Sequence, residues 1–67
     1  MASRYGLLEW NWEDGLVTFI PPSGRTREHK GGSQDVARIM TDLARDGWTV
    51  VTCASGTGWI VWTLAQE

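Results

Sequence analysis

The segment that decides the fold is Ser33-Gln34-Asp35-Val36-Ala37-Arg38-Ile39-Met40-Thr41-Asp42-Leu43-Ala44-Arg45-Asp46-Gly47-Trp48, followed by Thr49-Val50-Val51-Thr52-Cys53. Val36, Ile39, Met40 and Leu43 recur at helical spacing and make one apolar stripe. The spacing predicts a helix over 33–46. Ser33 suits the N-cap, where its hydroxyl would accept from an early backbone N–H. Asp35 falls in the first turn, where a negative charge suits the helix dipole. Gly47 stands where a left-handed residue ends a helix. Trp48 then sits where contact with Leu43 completes a Schellman stop. Trp48 to Ala54, rich in Thr and Val, reads as a strand. Ser55-Gly56-Thr57-Gly58 reads as a turn, and Trp59 to Leu64 as the returning strand.

Upstream of the helix the pattern has period two. In Arg4 to Trp12, Leu8, Trp10 and Trp12 point one way and Tyr5, Leu7, Glu9 and Asn11 the other. Asp14-Gly15 is a two-residue hairpin signal of the type I′ kind. Leu16 to Ile20 reads as the returning strand, and Pro21-Pro22 closes it because proline cannot donate to a ladder. Ser23 to Gly32 reads as a loop and is the only locally basic stretch, with Arg25, Arg27 and Lys30. The expected architecture is a single α+β domain over 1–67 in the order β-β-α-β-β. Its parts are a 4–20 hairpin, a 21–32 basic loop, the 33–46 helix and a 48–64 hairpin. They would form an antiparallel four-stranded sheet with one helix on one face.

A chain of 67 residues is short for this task. A domain near this size buries only about 60% of the surface its unfolded chain exposes. Small domains therefore lean on disulfides, metals, oligomerisation or a dense core. Cys53 is the only cysteine, and with His29 as the only histidine no closed zinc set can form. No metal or cofactor is expected. Five tryptophans, Trp10, Trp12, Trp48, Trp59 and Trp62, supply the aromatic surface instead. Each can bury roughly 150–250 Å². One helix covers one face of a sheet, yet both sides of every strand carry large apolar groups. In the last strand Ile60, Trp62 and Leu64 oppose Trp59 and Val61. In the third, Trp48 and Val50 oppose Val51 and Cys53. In the second, Leu16 and Ile20 oppose Val17 and Phe19. The second face must be hidden: self-association through the open sheet face is the first inference, and edge pairing between subunits into a longer continuous sheet is the second.

The formal net charge is −2, from six basic and eight acidic side chains. That is not a nucleic-acid-binding balance. There is no apolar run of about 18 residues for a membrane span. Met1-Ala2-Ser3-Arg4 lacks the apolar core of an export signal. With a free cysteine, this favours a reducing compartment, so a cytoplasmic protein of bacterial or phage style is expected.

The C-terminal half, Leu43-Ala44-Arg45-Asp46-Gly47-Trp48 with the alternating strand and final apolar strand after it, resembles a known family. It is similar to family 4177, a group of small, mostly bacterial domains of unknown function. The resemblance covers about residues 36–64, with a fainter echo at Arg4 to Trp12. This chain has Thr49 where the family usually has glutamate. It also has a longer basic loop between the hairpins. The resemblance implies a compact α+β fold and brings no activity and no site residues.

Candidate chemistry is sparse. Cys53 and His29 suggest a thiol and a base, but a mid-strand cysteine among apolar neighbours reads first as a buried structural residue. Ser55-Gly56-Thr57-Gly58 leads into a strand, so a hairpin turn fits better than a phosphate cradle. Gly31-Gly32-Ser33 leads into the helix and, with Arg25, Arg27 and Lys30 nearby in sequence, is the better anion site; a solvated linker with an ordinary cap is the simpler reading. Stacking of single-stranded bases on the tryptophans is opposed by the net negative charge. Glu9, Glu13, Asp14 and Glu28 show no acid/base spacing. An enzyme would have to use His29 or Tyr5 and ranks last. The leading expectation is a non-enzymatic assembly module, a homo-oligomer that presents its basic loop to a partner. The alternative is a binder of an anionic or nucleotide-like small molecule in an aromatic pocket at a subunit interface. In either case the contact residues would be Trp10, Trp12, Trp59, Trp62, Arg25, Arg27 and Lys30.

Overall fold

The computed structural model describes residues 3–67; Met1 and Ala2, which entered the export-signal reading, lie outside the described residues. The elements are β1 (Arg4–Asn11), β2 (Leu16–Ile20), β3 (Arg27–Lys30), α1 (Ser33–Arg45), β4 (Thr49–Gly56) and β5 (Trp59–Gln66). The fold is α+β, with one antiparallel sheet in the order β3-β2-β1-β5-β4. The sheet has five strands, not four. The extra one, β3, comes from the expected basic loop: it pairs with β2 from Phe19↔Arg27 to Leu16↔Lys30. All four of its residues are exposed, so it carries no apolar alternation and is held through its backbone.

The helix stop forms as its sequence requires. Gly47 takes φ +94°, in the left-handed region that favours glycine. The Trp48 N–H donates to the Leu43 carbonyl and the Gly47 N–H to the Ala44 carbonyl, both at 3.0 Å. These are the two bonds of a Schellman motif. The start differs from expectation. Gly32, not Ser33, is the N-cap. Its N–H donates to the Asp35 carboxylate at 3.0 Å, so the acid of the first turn does the capping.

The first hairpin also differs. Asn11↔Leu16 is the last register pair, so the connection has four residues, Trp12 to Gly15, rather than two. Only Gly15 has positive φ (66°), which excludes a type I′ turn with Asp14. The Asn11 side-chain oxygen accepts from the Asp14 N–H at 3.2 Å and holds the bend.

The core lies between α1 and one face of the sheet: Leu8, Val17, Phe19 and Leu64 from the strands, Val36 and Leu43 from the helix. Trp10, Ile39, Met40, Trp48 and Trp62 pack around it. Gly6 is the place of closest approach. A Cβ there would stand 3.2 Å from the Phe19 ring and 3.3 Å from the Trp48 ring. Its absence lets those two rings meet edge to face, centroids 5.5 Å apart at 78°.

Strand β4 carries a β-bulge between Val50 and Thr52. The bulge overturns one face assignment made by alternation. Val50 faces Leu64 in register and Cys53 faces Trp62, so Val50 and Cys53 share the helix side instead of opposing one another. No helix among the described residues is long and apolar enough to cross a membrane.

Candidate functional site

Register pairs share a face, so the ladders sort every strand residue. The helix side carries Leu8, Trp10, Val17, Phe19, Ile60, Trp62 and Leu64. The far side carries Tyr5, Leu7, Leu16, Ile20, Val61 and Trp59, interleaved with Thr18, Thr63 and Glu9. No element among the described residues covers this far side: Tyr5 is 58% exposed, Leu7 39% and Trp59 37%.

The four tryptophans singled out as contacts therefore separate. Trp10 and Trp62 are half-buried against the core on the helix side, and Trp48 is with them. The Trp10 indole N–H is enclosed without a hydrogen-bond partner. Trp12, 47% exposed, lies beyond the end of β1 and meets Trp10 edge to face, centroids 5.5 Å apart. Trp59 alone projects from the far face.

The basic residues separate too. Arg25 is exposed in the 21–26 loop. Arg27 pairs with Phe19 on the helix side, its guanidinium 5.5 Å from the ring centroid. Lys30 pairs with Leu16 and so faces the far side. These three cations do not converge on one anion. At the helix N-terminus the Asp35 carboxylate already accepts from the Gly32 N–H and, at 2.8 Å, from the Arg38 guanidinium, and none of the three cations reaches it.

Cys53 is exposed, not buried. The reason is strand order: β4 is an edge, and α1 does not cover it. His29 is on the opposite edge, four inter-strand steps of about 4.8 Å away, on the order of 19 Å. No thiol–imidazole pair forms. No group of three or more His, Cys, Asp and Glu side chains among the described residues can hold a metal ion.

The surface that stands out is β4 itself. Every residue from Thr49 to Gly56 is exposed, including Val50 at 50% and Val51 at 58%. Beside it, between strand and helix, runs an apolar groove of about 540 Å³ lined by Met40, Thr41, Leu43, Ala44, Trp48, Thr49, Val50 and Leu64. A smaller cavity of about 210 Å³ lies on the β3 side of the helix, between Phe19, Arg27, His29, Arg38, Asp42 and Asp46. The contact residues expected from sequence did not include β4. A signal for it was present: no charged side chain occurs between Asp46 and Glu67. Comparison with protein-family models, with curated proteins and with solved structures finds no match to this chain.

Proposed function

We propose that the chain is a non-enzymatic interaction module that self-associates through its uncovered sheet surface, in the cytoplasm. The observation that carries this reading is an eight-residue strand, β4, exposed along its whole length and free of charge. Large exposed apolar surface on a small protein marks a site of association. The far face, with Tyr5, Leu7 and Trp59, extends that surface across the sheet. At the other edge Arg27 and Lys30, and in the loop before it Arg25, are exposed for contact with a partner. The test is the mass of the purified chain in solution by sedimentation at micromolar concentration. A mass well above the 7.5 kDa of one chain is expected. A monomer at tens of micromolar would remove the reading.

The groove beside β4 supports a second reading, a small-molecule binder. Its size falls in the usual range of ligand sites, about 300–1,000 Å³. The groove is apolar and its one tryptophan is Trp48, so a hydrophobic ligand suits it better than the nucleotide-like one expected from sequence. Tryptophan fluorescence titrated with a metabolite panel separates the two: unchanged emission with every compound eliminates ligand binding and leaves association standing.

A further inference from the structure

Resting on that reading, we infer that the association is a two-fold, antiparallel pairing of β4 with β4 of a second copy. It joins two five-stranded sheets into one continuous sheet.

Three observations carry this. The first is the bare edge. On an antiparallel edge strand alternate residues direct their N–H and C=O outward, and β4 is eight residues long, a reach of about 27 Å. Lysines, prolines and inward charges are the means by which edges are kept from pairing, and β4 has none. It has only its bulge at Val51, which leaves Thr52–Gly56 regular. The two-fold axis therefore falls near Cys53 or Ala54.

The second observation is the path of the helix. It starts at the end of the sheet that holds Lys30 and finishes at the end that holds Thr49. Its C-terminal half flanks Thr49 and Val50 across the groove. At the opposite end of β4, Cys53 and Ser55 face the helix side in register with Trp62 and Ile60, yet stay exposed. Antiparallel pairing sets the Thr49 end of one copy beside the Ser55 end of the other. Each helix then stands next to the region its partner's helix leaves uncovered. The surface completes itself, as an isologous interface must. This self-completion selects a second copy over an unrelated extended peptide, which would fill the edge and leave both uncovered regions open.

The third observation is charge. The helix flank toward β3 carries Arg38, Asp42 and Asp46. The flank toward β4 carries Met40, Thr41 and Ala44. Pairing through β4 thus brings no like charges together.

The experiment uses the full chain. Sedimentation is run on the wild type, on Ala54→Lys, on the control Ala54→Thr, and on the far-face variant Leu7→Thr/Trp59→Thr. Cys53 of the wild type is treated in parallel with a short bismaleimide. The wild type and Ala54→Thr are expected near twice 7.5 kDa. Ala54→Lys sets two lysines nearly opposite one another, and weakening of the dimer by at least about tenfold is expected. The linker is expected to capture a covalent dimer through Cys53. In an association through the far face Cys53 points away from the contact and is not captured. An oligomer that survives Ala54→Lys and dissolves in the far-face variant overturns the edge pairing and leaves the proposed function intact. A monomeric wild type overturns both. Should Ala54→Lys fail to fold, the cross-link decides: capture supports the pairing, and no capture at concentrations where the mass is that of a dimer overturns it.

Discussion

The two edges of the sheet are opposites. Strand β3 is four residues long, and Arg27, Glu28, His29 and Lys30 put a polar group at every position. Strand β4 is twice that length, rich in Thr and Val, and has no charge at all. Both are fully exposed in the single chain, so burial alone does not tell them apart. What differs is the cost of adding a strand. A new neighbour on β3 must accommodate a charge at nearly every step. On β4 it meets only uncharged side chains and open backbone groups. Charge, rather than exposure, is what distinguishes the two edges.

That contrast can be broken at its root. Each edge hangs from a buried side chain of the next strand: Phe19 behind β3 at Arg27, and Leu64 behind β4 at Val50. Phe19→Ala should cost about 3–5 kcal/mol and Leu64→Ala about 2–5 kcal/mol, read as loss of denaturation midpoint. Because Phe19 also meets Trp48, the Phe19 change should loosen both edges, whereas Leu64→Ala should loosen β4 more. Amide exchange along the two strands checks this. Gly47→Ala is next. It forces a side chain into φ +94° at the point that sets where β4 begins, and a loss of about 1–2 kcal/mol is expected by thermal unfolding.

The contrast is sharpened by making the edges alike. Glu28→Thr/Lys30→Thr should change monomer stability by no more than about 0.5 kcal/mol. If copies pair through β4 as proposed, it should also turn closed pairs into open chains of copies, visible as a mass that grows with concentration. No growth would mean that charge is not what keeps β3 single. The smallest effect belongs to Asp42→Asn. It removes an exposed contact to Arg45 at 3.5 Å and should shift stability by less than about 0.5 kcal/mol.

Much of the fold was legible because it is local. The helix and its stop rest on residues within a few positions of Gly47, and the strand faces of β1, β2 and β5 follow from alternation. What was illegible depends on partners far along the chain. Strand β3 has no apolar period to read, because neither of its faces is buried. Cys53 reads as a core residue until strand order puts β4 at the edge. The bulge at Val51 reverses the sides of the residues after it, and a Val-Val-Thr run gives no sign of where it falls. Ser33 is not the N-cap because the chain is already helical there: Gly32, with φ −116° and ψ −157°, is the last extended residue, and Asp35 accepts from its N–H. Of the residues expected to make contacts, Trp12 and Trp59 are exposed and Trp10 and Trp62 pack against the core. The span that holds the candidate surface was read for its hydrophobicity and not for its lack of charge.

Strand β1 sits in the middle of the sheet, between β2 and β5, with Arg4 opposite Gln66. That places the earliest strand of the chain against the latest. During synthesis β1 and β2 can pair at once, but the other side of β1 stays open until residues 59–66 have been made. The loop that must close to join them is the longest of the four connections between paired strands, so this pairing carries the largest loop-closure cost in the sheet. Until then β1 presents unpaired backbone N–H and C=O groups along that side. An open central strand, and not only the two outer ones, is therefore a pairing site for a wrong partner whenever β5 is out of place.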